Sequence, residues 1–308
     1  MPMRVRPPAV AGMFYPGDPN GLRTMVDTLL EQAREQVDKL FFGAQPSPVT
    51  KPSPVTQLSP VTQPSPATET PPVTQPKAGS PRDSLVSMIV PHAGYIYSGS
   101  TAALGYALLE RLADKVKHIV ILGPTHRVGI RGIALPGVDA MKTPLGTVPL
   151  WASGVERALA QPFVVASPEV HAQEHSLEVQ LPFLQTVVPG ADVLPLAVGW
   201  VEPEVATTVI DAVWDADTFI VISSDLSHYH PYAEAQRIDR GTVEQILAGE
   251  QVDHDQACGA TGVDAMTLAA RTRGLEPRLI GMCNSGDTAG DKSGVVGYAT
   301  IGFYGRSV

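Results

Sequence analysis

The chain of 308 residues carries 31 Asp and Glu against 22 Lys and Arg, a net charge of −9, which argues against a nucleic-acid surface as its main business. With 44% apolar residues it can bury a sizeable core. No apolar run approaches the roughly 20 residues of a membrane helix, the N-terminus lacks the apolar core of a signal peptide, and two cysteines make no disulfide framework, so a cytoplasmic protein is expected.

In chain order, residues 4–16 read as an ordered lead-in with two aromatic anchors, Phe14 and Tyr15. Asp18 is a candidate N-cap with Pro19 at the first helical position. The helix they start is expected to run to about Phe42, with Leu22, Met25, Val26, Leu29 and Leu30 as its apolar stripe. Residues 46–75 are five six-residue units, PSPVTK, PSPVTQ, LSPVTQ, PSPATE and TPPVTQ. Proline at this density removes backbone donors and suits solvated, polyproline-like chain, so the stretch reads as an insert within one α/β domain.

Leu85–Val90 and His118–Leu122 are continuous apolar runs bounded by Gly and Pro, as buried parallel strands are. Leu104, Leu108 and Leu112 lie between them at helical spacing, completing a strand–helix–strand crossover. The strands run into Pro91-His92-Ala93-Gly94 and Gly123-Pro124-Thr125-His126, so both histidines are expected on one rim, where open α/β folds bind ligands. Further on, short strands and turns are expected over 132–150 and helices near 152–160, 175–188 and 202–214. Strands follow at 192–198 and 218–223, helices near 232–249 and 261–273, and last strands near 277–283 and 295–304. The alternation predicts an α/β fold whose central sheet is mostly parallel or mixed and flanked by helices.

Four of the eight histidines sit where elements begin or end: His92, His126, His175 and His228. Imidazole is the commonest transition-metal ligand, and a nearby carboxylate such as Glu174 or Asp225 can orient it. Cys258, just before a helix, could be nucleophile, metal ligand or small buried residue. The loops around 284–294 match no Walker pattern.

The segments PHAGYIYSGS, GPTHR, EHSLEVQLPF, SSDLSHYH and CGATGV, in that order, with RPPAVAGMFYPGDP at the start, resemble the Memo family, whose prokaryotic members are called AmmeMemoRadiSam system protein B. The likeness spans essentially all of the chain outside 46–75. It implies a fold similar to class III extradiol dioxygenases, with His92 and His126 as ligands of an iron or copper ion. It implies Cys258 as third ligand where those dioxygenases have glutamate, Asp225 and His228 beside the metal, with His228 in the place of the general base, and His175 lining the pocket. It also implies a small molecule or peptide in the pocket, and partnership with a radical-SAM enzyme and an AMMECR1-like protein. Thiolate in place of carboxylate softens the site, so extradiol activity does not follow from the likeness. Three readings stay open: a metal-dependent oxidoreductase with His228 as proton shuttle, a metal- or peptide-binding protein without turnover, and, ranked last, a hydrolase using Cys258 and His228.

Overall fold

A computed structural model describes residues 3–42 and 83–306. The proline-rich repeat at 46–75 lies outside the described residues. β1 (Val5–Arg6) leads into α1 (Pro19–Phe42), where Asp18 Oδ1 accepts from Gly21 N at 2.7 Å, the expected cap. The chain continues through β2 (Asp83–Val90), α2 (Tyr95–Glu110), β3 (His118–Pro124), β4 (Ile133–Leu135), β5 (Ala140–Thr143) and β6 (Gly146–Pro149). Next come α3 (Ala152–Leu159), β7 (Val164–Ala166), α4 (Pro168–Ala172), a 3₁₀ turn at Glu178–Gln180, α5 (Leu181–Val187), β8 (Asp192–Val198), α6 (Pro203–Val213) and β9 (Thr218–Ser223). The described chain closes with β10 (His228–His230), α7 (Tyr232–Ala248), α8 (Ala260–Arg273), β11 (Glu276–Asn284) and β12 (Val295–Arg306).

The main sheet runs β10-β12-β2-β9-β3-β8-β4-β7, with β11 also on β12. Its centre, β2-β9-β3-β8, is parallel, while β12 is antiparallel to β2 and β4 antiparallel to β8. The α/β expectation holds: the central strands are mainly apolar because both faces are covered, with Ser87 of β2 and Ser223 of β9 among the buried polar exceptions. Leu22, Val26, Tyr106 and Phe183, from α1, α2 and α5, pack one face. Val209, Val263 and Met266, from α6 and α8, pack the other. β1, β5 and β6 form a separate small sheet.

Two details depart from the expected pattern. The crossover from β2 to β3 skips one position, and β9 fills it, pairing with both neighbours. The helix expected from His175 begins only at the 3₁₀ turn of Glu178–Gln180, because the Glu174 carboxylate takes the backbone N–H groups of His175 and Ser176. Leu177, Leu181 and Leu184 are nevertheless all buried, as their spacing requires.

Candidate metal centre

Val90 pairs with Ser223, and Leu122 with Ile222, so β2, β9 and β3 end level with one another. The loops that follow bring His92, Asp225 and His126 to one edge. His175 joins them from the turn beneath α5, which packs tightly on the end of β3. A Cβ on Gly123 would lie 2.8 Å from Ser176 Oγ, so only glycine admits that approach.

Side-chain nitrogens of His92, His126 and His175 all lie within 4.8 Å of one another. The ring centroids are 5.2 Å apart for His92–His126, 4.6 Å for His126–His175 and 5.5 Å for His92–His175. Hydrogen bonds set the tautomers of two rings. Ser223 Oγ gives its proton to Ser176 O at 2.6 Å, so it accepts from Gln180 Nε2 at 2.8 Å and from His92 Nδ1 at 3.0 Å. That leaves the His92 Nε2 lone pair facing the centre. His126 Nδ1 donates to Glu174 Oε1 at 2.9 Å, which frees its Nε2 in the same way. His175 Nδ1 is buried without a hydrogen bond; Glu174 Oε1 lies 3.4 Å away but outside bonding geometry. Its ring packs against Phe14, centroids 4.6 Å apart.

Charge at the site is organised by burial. Burial drives the His92 imidazolium well below the usual histidine range, and the neighbouring His126 and His175 push the same way. His175 falls to about 4 for the same reasons, burial first and His126 second. Both rings are thus neutral near pH 7, the form that ligates metal. Burial alone would raise Glu174, but the ring and backbone of His126 hold it down at about 2, so it is a firm anion beside the histidines. Asp225 is raised to about 7 by burial, against hydrogen bonds from His92 N and Ala93 N.

Cys258 precedes α8 and lies on the His92 side, its Sγ 3.3 Å from His92 Nε2 and 3.3 Å from the Asp225 N–H. It stands outside the three-histidine group of mutually close donors. Burial, and then Asp225, raise its thiol far above the ordinary range. A cysteine nucleophile needs the opposite shift, which weighs against the hydrolase reading. His228 is half-buried in β10, beside Val296 of β12, and burial followed by His126 lowers its pKa. Asp225 receives the His92 backbone N–H and no ring nitrogen of His92, so its contact with that histidine is through the main chain.

Two supporting residues escaped the sequence reading, and a third was assigned to the wrong ring. Ser223 and Gln180 were hidden inside apolar runs, although a polar side chain ending a buried strand was a usable signal. Glu174 was singled out for the adjacent His175, yet its ring contact at hydrogen-bond geometry is with His126, 48 residues away.

The family described as Memo-like protein matches residues 70–302. A MEMO1 family protein of Aquifex aeolicus is 33% identical over 313 aligned residues, covering 96% of this chain and 98% of the relative. One from Methanopyrus kandleri is 32% identical, covering 97% and 98%. Among solved structures, an uncharacterized Escherichia coli K12 protein superposes with a TM-score of 0.46 at 10% identity, over 71% of this chain and 99% of that one. With a family match across most of its length and relatives aligned nearly end to end, this chain is a member of the Memo-like protein family.

Proposed function

We propose that the protein holds one iron or copper ion at His92, His126 and Cys258, with His175 as the adjoining imidazole, and uses it for redox chemistry on a small organic substrate. The observation that carries this reading is the 3.3 Å approach of Cys258 Sγ to the free Nε2 of His92, a histidine whose ring is grouped with those of His126 and His175. Bond lengths of roughly 2.3 Å to sulfur and 2.0–2.1 Å to nitrogen put two tetrahedral ligands about 3.5 Å apart, so the pair fits one metal. The donor set also fits: two tautomers leave Nε2 free, and the orphaned Nδ1 of His175 marks that ring as open to a further partner. Soft sulfur with imidazole favours copper or iron over magnesium or calcium.

An iron or copper ion held by these residues would supply open coordination positions and redox chemistry. The chain's residues do the rest. Glu174 and Ser223 hold His126 and His92 in orientation, and His228, neutral near pH 7, can take a proton from a substrate hydroxyl. A metal ion held there would oppose the effect of burial on Cys258 and favour its thiolate form.

A second reading, a metal-containing docking site without turnover, draws on Met13, Ile96 and Tyr229, all exposed and each close in sequence to Phe14, His92 or His228. The test is metal analysis after anaerobic purification, followed by dioxygen-uptake assays across phenolic and thiol substrates. Near-stoichiometric iron or copper with substrate-dependent uptake supports the redox reading. Metal without uptake on any substrate favours the docking reading, and protein that takes up neither metal overturns both.

A further inference from the structure

The cavity of about 760 Å³ on the α6 and α8 side of the sheet is separate from the three histidines. Its walls include Trp200 and Phe163, with Glu202, Asp253, Asp264 and Arg131 around them. Trp200 is 77% exposed and Phe163 63% exposed, against the ordinary tendency of large aromatics to be covered.

The backbone holds both rings out. Trp200 N donates to Ile130 O at 2.8 Å, and Trp200 O accepts from Gly132 N at 3.1 Å. Phe163 has a φ of 63°, in the left-handed region that bulky residues seldom enter, while its carbonyl accepts from Ile133 N at 2.8 Å. Gly132, at φ +117°, lies so close that a Cβ there would come within 2.2 Å of Phe163 O. A strained residue locked by hydrogen bonds and a close-packed glycine, yet presenting its ring to solvent, is a feature that packing alone does not explain.

The charges give the cavity its sign. Three carboxylates face one guanidinium, and one of the three, Asp264, is only 5% exposed. Its Oδ1 accepts from Val252 N at 3.0 Å, and no lysine or arginine pairs with it among the described residues. Burial raises it to about 6, the behaviour of a carboxylate short of countercharge. Aromatic faces with nearby carboxylates are the chemistry that recognises organic cations. The volume falls within the range of small-molecule sites.

We propose that this cavity binds a small alkylammonium cation, with Trp200 and Phe163 as aromatic walls and Asp264, Asp253 and Glu202 as countercharge. The site is distinct from the metal centre, although His254 and Thr261 line both this cavity and the small pocket at Cys258. The cavity and that small pocket therefore share a wall, where His254 Nε2 lies 3.3 Å from Thr261 Oγ1.

The probe is choline, paired with 3,3-dimethylbutanol, its neutral isostere, in titrations of the full chain followed by tryptophan fluorescence and calorimetry. Saturable choline binding at least about tenfold tighter than the isostere, and weakened at least about tenfold in Trp200→Ala and Asp264→Asn, is the expected result. Circular dichroism checks that each variant folds. If Asp264→Asn does not, the exposed Glu202→Gln replaces it, with weakening in the same direction. Equal binding of choline and isostere overturns the proposal, as does unaltered choline binding in Trp200→Ala. Absence of saturable binding at tens of millimolar choline overturns it too, including the case where sedimentation finds a dimer that Trp200→Ala dissociates.

Discussion

Glu174 is the residue on which the site geometry converges. Its carboxylate accepts from the ring of His126 at 2.9 Å and from the backbone N–H groups of His126, His175 and Ser176. Glu174→Gln keeps an acceptor oxygen but loses the anion, so metal affinity is expected to fall about ten- to a hundredfold, measured by competition with a chelator. An unchanged affinity would mean that His126 does not bind through the nitrogen that Glu174 frees. A thiolate ligand contributes a bond and a charge. Cys258→Ser should therefore lose metal nearly as badly as His92→Ala or His126→Ala, while Asp225→Asn keeps a weakened site. X-ray absorption gives the direct reading: a sulfur scatterer at bonding distance in the wild type, absent in Cys258→Ser. Full occupancy in Cys258→Ser would hand the third position to His175, which the geometry already groups with the other two imidazoles.

The N-terminal lead-in is fastened to the site by one buried carboxylate. Glu178, in the 3₁₀ turn before α5, accepts from Arg6 at 2.5 Å, from Ala9 N and Val10 N, and from the Tyr15 hydroxyl at 2.6 Å. Arg6 and Glu178 are both buried. Removing the anion strands a guanidinium and three other donors, so Glu178→Ala is expected to cost about 3–5 kcal/mol in urea denaturation. Because Phe14 of the same lead-in packs on His175, the variant should also weaken metal binding at the proposed site. Gly123→Ala tests the opposite end of that turn. A methyl 2.8 Å from Ser176 Oγ and 3.0 Å from Leu177 Cδ2 must push the turn off β3. The expected cost is about 1–3 kcal/mol, with weaker metal binding alongside it. Normal stability with normal binding would show that the turn yields freely.

Across the whole molecule, buried neutral histidines tie stability to pH. His171 donates Nε2–H to Ala134 O at 2.8 Å, and its own carbonyl accepts from Arg6 Nε at 2.7 Å. Burial, assisted by Arg6, lowers its pKa from 6.5 to about 4. A depressed histidine binds fewer protons folded than unfolded between those values. Its stabilisation is therefore complete above about pH 6.5 and drains away as pH falls towards 4, on the order of 3 kcal/mol in all. Melting midpoints of metal-free protein should drop over that interval, and drop less in His171→Gln, which can still donate a hydrogen bond. Parallel curves for the two proteins would place the acid sensitivity elsewhere.

Much of the fold was legible because its signals are local. The runs at 85–90, 118–122 and 218–223 are strands since a chain buried on both faces has to be apolar at most positions, with Ser87 and Ser223 among the buried exceptions. The α1 boundaries follow from Asp18, Pro19 and the spacing of Leu22, Val26 and Leu30. Parallel strand ends then put His92 and His126 on one rim. Strand order was another matter. That β9 lies between β2 and β3 depends on which loops can cross the sheet, and it is this placement that sets Asp225 and Ser223 against His92. Likewise, no local pattern pairs Glu174 with His126, Glu178 with Arg6, or Trp200 with the cavity around Asp264. Those partnerships join residues dozens to more than a hundred positions apart, and only the closing of the sheet and its two helical layers decides them.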